Sequence, residues 1–214
     1  MAIDSRPSRP PTGSADRGRP RLRFRAEQVI RMVEAGIIPA GVELWDGVIS
    51  RLVKGEAHNY VTSQVADALR AVIPGGYHVR EEKSCADGER SLPEPDVAVC
   101  RGRKGDSLPD PPPIDRLALV VEVDHHTHRA DAVVKPRRYA EVGIPVFWRV
   151  DVRARTVVVH QAPEGTGDGA RYASTRVATE SDPALPIVVD GREVGSIAVA
   201  DLFPPATSAR ETPP

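Results

Sequence analysis

The sequence is short of aromatic residues, lysine, cysteine and long apolar runs, and most of these shortages remove a class of protein. Aromatic residues fill only 4% of the 214 positions, so a core has to be built from Val, Ile, Leu and Ala. No apolar run approaches the roughly 20 residues of a helical membrane span. The N-terminus has no apolar stretch of the secretory-signal kind. A membrane protein is therefore not expected, and a cytoplasmic location is. Cys85 and Cys100 are too few for a disulfide framework and lack metal-ligand spacing, so two reduced thiols are expected. Lysine supplies 4 of the 29 basic residues, an imbalance that GC-rich coding explains without a functional cause.

A hydrophobic content of 40% with 28% charged residues is that of a soluble globular protein with enough chain for one substantial core. The formal net charge of -1 conceals an asymmetry. The first 25 residues hold seven arginines against Asp4 and Asp16, leaving 22 basic and 28 acidic residues in the rest. Phosphate binding needs a positive surface, which the body does not supply on average. Residues 1–23, rich in Pro, Arg, Ser and Gly, read as a disordered basic tail. Residues 24–203 read as one domain, and residues 204–214 as a flexible C-terminal tail.

Between the tails, helical and strand-like patterns are mixed. Val29, Ile30 and Val33 have helical spacing and stop near Gly36. Two strand-like runs, 42–45 and 48–53, flank Asp46-Gly47, a strong hairpin signal. Val61, Val65, Leu69, Val72 and Ile73 share one helical face, ended by Pro74-Gly75-Gly76. Strands are expected over 77–84, 94–100 and 117–123, with a proline-rich loop from Gly102 to Pro113. A helix is expected within 131–142, although Pro136 is comfortable only in a first turn. Hairpins are expected for 146–151 with 156–160, and for 186–189 with 194–199 across Asp190-Gly191.

The chemistry is concentrated in a few acids. Leu119-Val120-Val121-Glu122-Val123 sets one carboxylate in an apolar strand, which is costly unless the acid is paired or binds a cation. Asp96, in Pro93-Glu94-Pro95-Asp96-Val97, and Glu43, in Val42-Glu43-Leu44-Trp45, are similarly placed. Lys135 follows Glu122 by thirteen residues. Phosphodiester hydrolysis needs an activated water and positive charge against the transition state. Mg²⁺ or Mn²⁺ bound by one or two carboxylates serves both needs, and a lysine can orient or deprotonate the water. The same residues also suit a structural ion pair between Glu122 and Lys135 or an arginine.

Other residues have plainer readings. His125, His126 and His128 suit a loop better than a zinc site. Tyr139, four residues after Lys135 and so on the same helical face, suits packing. Asp131 caps or precedes the helix that carries Lys135. Arg101, Arg103 and Lys104 suit either a solvated loop or phosphate contact.

Several segments in order resemble the Uma2-like endonuclease family (the DUF820 group), a branch of the PD-(D/E)XK restriction-endonuclease-like superfamily. They are Glu43-Leu44-Trp45-Asp46-Gly47-Val48-Ile49, Ala57-His58, Pro93-Glu94-Pro95-Asp96-Val97-Ala98-Val99, Leu119-Val120-Val121-Glu122-Val123, Asp131 with Lys135, Tyr139-Ala140, and Gly143-Ile144-Pro145-Val146-Phe147-Trp148-Arg149-Val150-Asp151. The resemblance implies an α/β, restriction-endonuclease-like core, a mixed β-sheet flanked by helices with additional β-hairpins. It implies an endonuclease that uses Mg²⁺ or Mn²⁺ on DNA, with Asp96 and Glu122 as metal ligands, Lys135 as the catalytic lysine and Glu43 as an additional acid. It hints at His58 in the pocket and at a homodimer. The usual Glu-X-Lys is absent, because position 124 is Asp, and the lysine is displaced to the following helix. An inactive nuclease-fold binding or regulatory module is the alternative, favoured by Asp124 and the acidic body.

Overall fold

The computed structural model describes residues 22–51, 54–124 and 131–205, the side chains of 131 and 132 excepted. Most of the N-terminal tail, the C-terminal tail from 206, and the cluster of His125, His126 and His128 lie outside the described residues.

The frame is a six-stranded sheet in the order β3-β4-β5-β6-β7-β8. Its strands are β3 (Tyr77–Glu81), β4 (Val97–Arg101), β5 (Leu117–Asp124), β6 (Val146–Asp151), β7 (Thr156–Glu164) and β8 (Arg171–Thr179). All neighbours are antiparallel except β5 and β6. A parallel pair needs a crossover, and helix α3 (Asp131–Glu141) lies between these two strands in the chain. Every residue of β5 but the last is buried, because both faces of the sheet are covered.

On one face, Val61, Val65, Ala66 and Leu69 of α2 (Glu56–Val72) pack with Val97, Val99, Val121, Trp148 and Val150. The hairpin of β9 (Leu185–Val189) and β10 (Arg192–Ile197) adds Leu185, Ile187 and Val189 to that layer. On the other face, Tyr139 and Ala140 of α3 pack with Ala98, Val120, Phe147 and Trp45. Trp45 comes from the hairpin of β1 (Val42–Trp45) and β2 (Val48–Arg51). Asp46 and Gly47 both have positive φ there, 49° and 79°, the backbone a tight two-residue turn requires. A smaller cluster joins this hairpin through Val42 and Leu44 to Val29 of α1 (Ala26–Glu34).

Two features differ from the sequence expectation. Pro136 lies inside α3, at its sixth residue, where it forgoes the hydrogen bond to the carbonyl four residues back. Strand β8 has no apolar alternation to announce it. It is an edge strand with only Tyr172 and Ala178 buried. Cys85 and Cys100 are free and buried. Among the described residues, no helix is long and apolar enough to cross a membrane.

Candidate metal centre

Alternation along β5 decides where Glu122 goes. Val121 and Val123 join the layer beneath α2, and Val120 joins the layer beneath α3; Glu122 therefore faces α3. There Lys135 Nζ donates to Glu122 Oε2 at 2.5 Å, and Tyr139 Oη donates to Oε1 at 2.7 Å. The i, i+4 spacing of Lys135 and Tyr139 lets one helix hold both carboxylate oxygens. Tyr139 is thus more than packing: it is fully buried and its hydroxyl is spent on Glu122.

Asp96 stands at the foot of β4. Val97 pairs with Val121, so the antiparallel register sets Asp96 across from Glu122. Asp96 Oδ2 accepts the backbone N–H of Val123 at 2.8 Å. Oδ1 meets Lys54 Nζ at 3.1 Å and His58 Nε2 at 3.2 Å. His58 is in the first turn of α2, and Lys54 lies just before that helix. Lys54 Nζ also lies 3.1 Å from Glu82 Oε1 and 3.8 Å from Glu94 Oε1.

Asp96 therefore belongs to two groups. Val123 links it to the Glu122, Lys135 and Tyr139 group, and His58 and Glu82 join it in a second. Ligand atoms of His58, Glu82 and Asp96 all lie within 4.8 Å of one another. Glu43 is buried, and its Oε2 accepts from Trp45 Nε1 at 3.1 Å. It has no hydrogen bond to Asp96 or Glu122 among the described residues, but its charge acts on both Glu122 and Lys135.

Electrostatically the centre has too much negative charge. Five carboxylates, Glu43, Glu82, Glu94, Asp96 and Glu122, face three lysines, Lys54, Lys83 and Lys135, and one histidine. Burial, with Asp96 and Glu43 adding to it and Lys135 opposing, pushes the Glu122 carboxyl up to about 7. Burial works against the Lys135 ammonium, yet Glu122 and Glu43 outweigh it and hold the lysine above its ordinary value. Burial would raise Asp96, but His58, Lys54 and the Val123 N–H pull it below the usual aspartate range. Burial also opposes charge on the His58 ring, and its hydrogen bond to Asp96, with the carboxylate's charge, more than compensates, lifting it. Asp124, raised by burial, lies 3.6 Å from Arg149 Nη1. Arg101, a candidate for phosphate contact, instead binds Asp190 and the carbonyls of Asp115 and Leu117.

Lys54 and Glu82 were not legible as site residues. Glu82 sits in the charged run Arg80-Glu81-Glu82-Lys83, which looks solvated. Lys54 had one available signal, as one of only four lysines in the chain.

Residues 39–198 match the family model Uma2, described as "putative restriction endonuclease". Among curated proteins none matches the chain. The chain is similar in structure to a crystal structure of a "putative nuclease belonging to DUF820" from Anabaena variabilis ATCC 29413. The TM-score is 0.56 and the identity 17%, and the match covers 80% of this chain and 96% of that one. At that identity the likeness speaks to fold, and the fold is restriction-endonuclease-like.

Proposed function

We propose that this chain, which belongs to the Uma2 family, is an endonuclease that hydrolyses DNA phosphodiester bonds with a divalent cation, Mg²⁺ or Mn²⁺. The observation that carries this reading is the placement of two buried acids, Asp96 and Glu122, 4% and 3% exposed, across from one another at the foot of β4 and on β5, where acids outnumber the cations around them. Buried acids in excess of their partners are unfavourable until a cation joins them, and an all-oxygen carboxylate set suits a hard ion. The donor set fits the group that the family implies.

In this reading Asp96 and Glu122 hold the ion, and residues 24–203 form one nuclease domain. When bound, the ion lowers the pKa of a coordinated water and offsets charge on the phosphoryl oxygens. Lys135, kept protonated by the acids around it, orients the attacking water and offers positive charge; it does not act as a base. Tyr139 fixes the rotamer of Glu122. Glu43 adds negative charge beside both and is itself fixed by Trp45.

One observation favours the second reading, a nuclease-fold module that does not cut. Both Glu122 oxygens already have protein donors, which is how a purely structural ion pair would look. Cleavage of plasmid and linear DNA separates the two. Wild-type protein is expected to nick or cut with Mg²⁺ or Mn²⁺ and to be silent in chelator, and Asp96→Ala and Lys135→Ala to abolish cutting. Wild-type protein inert on DNA across both metals would overturn the proposal.

A further inference from the structure

We infer that Lys54 is the second cation of this centre. Its ammonium fills the place between Asp96 and Glu82 that a second divalent ion would take, so the native protein takes up one ion and not two. This rests on the reading above, in which Asp96 and Glu122 hold the first.

The geometry around Asp96 divides by oxygen. Oδ2 is turned to Val123, next to Glu122. Oδ1 is turned to Lys54 and His58. On the Oδ1 side, His58, Glu82 and Asp96 offer a nitrogen and two oxygens within 4.8 Å of one another. Donors around one divalent ion, with bonds of about 2.0–2.2 Å, stand roughly 3–4 Å apart. That side would need only a small contraction to become a metal site.

Lys54 already occupies it. Nζ is equidistant, at 3.1 Å, from Asp96 Oδ1 and Glu82 Oε1, with Glu94 Oε1 at 3.8 Å. An ion bonded to the same two oxygens would fall within a few ångströms of the ammonium, too close for two cations to share. Many nucleases place two metal ions across the scissile phosphate, one toward the attacking and one toward the leaving oxygen. Here a lysine supplies one of those two charges. Glu82 and Glu94, two of the three acids that meet Lys54, line a groove of about 1420 Å³ that also takes in Arg80 and Lys83; Lys54, His58 and Asp96 do not line it.

The test counts Mn²⁺ ions per chain by calorimetry, with circular dichroism to check folding. Wild type is expected to bind one ion, Lys54→Met two, and Lys54→Arg one. Two ions in wild type, or no gain in a folded Lys54→Met, would overturn the inference. Should Lys54→Met not fold, Glu82→Gln decides. It leaves the count at one ion per chain if Lys54 fills the position, and lowers the count if an ion uses Glu82. An ion bound by Lys54→Met and none by wild type would sink the one-ion nuclease reading while sustaining the role of Lys54. No ion in any variant overturns both.

Discussion

Lowering the pH from about 8 to about 5.5 should weaken Mn²⁺ binding about thirty-fold, because a proton and the ion compete for Glu122. Burial, reinforced by Asp96 and Glu43, raises that carboxyl from 4.5 to about 7. A protonated carboxyl must release its proton before it can ligate, so apparent affinity falls about tenfold for each pH unit below about 7 and levels off above it. A carboxyl left at its ordinary value would change the affinity by only about 10% across the same range. Calorimetric titration at a series of pH values, in buffers of different ionisation enthalpy, reads both the affinity and the number of protons released. His58 is also raised by Asp96 against the effect of burial, so the series is repeated with His58→Gln, where the slope due to Glu122 should persist. An affinity constant within twofold from about pH 5.5 to about pH 8 in both proteins would mean that no proton leaves Glu122 when the ion binds.

Two further outcomes follow from the same contacts. Without metal, Glu122 has a folded-state value above its unfolded one, so it supports the fold below about pH 4.5 and loses that contribution as pH rises toward about 7. The gap corresponds to about 3 kcal/mol, an order-of-magnitude figure. Asp96, depressed by its partners despite burial, works in the opposite sense: its contribution is present above its ordinary value and lost as pH falls toward acid. Urea unfolding in chelator should therefore show stability declining from about pH 5 to about pH 7.5, and millimolar Mn²⁺ should reverse the decline. Tyr139→Phe removes the 2.7 Å bond to Glu122 Oε1 and leaves a buried carboxylate oxygen without a donor. A loss of about 1.5–3 kcal/mol in urea unfolding near pH 8 is expected, and no loss would remove Tyr139 from the centre.

The sequence made the acids of β4 and β5 legible because a carboxylate in an apolar strand is conspicuous, whatever its purpose. Glu122 and Lys135 meet at 2.5 Å as their places on a strand and the following helix suggested. Both two-residue turns, at Asp46-Gly47 and Asp190-Gly191, were equally plain, since few dipeptides tolerate positive φ at both positions. What stayed hidden depended on the third dimension. Glu82 reaches Asp96 only because β3 pairs with β4, and nothing in a run of charged residues announces that. Lys54 is placed by the chain between a hairpin and a helix, a location with no periodicity to read. Tyr139 looked like core because it is core; its hydroxyl matters only once Glu122 is known to lie above it. Strand β8 was silent because an exposed edge strand buries too little to leave a pattern.

Anomalous scattering from crystals soaked in Mn²⁺ measures directly which oxygens hold the cation. One peak bonded to Asp96 and Glu122, with Lys54 still seated between Asp96 and Glu82, is the predicted result. No peak, or a peak that touches neither Asp96 nor Glu122, would contradict it.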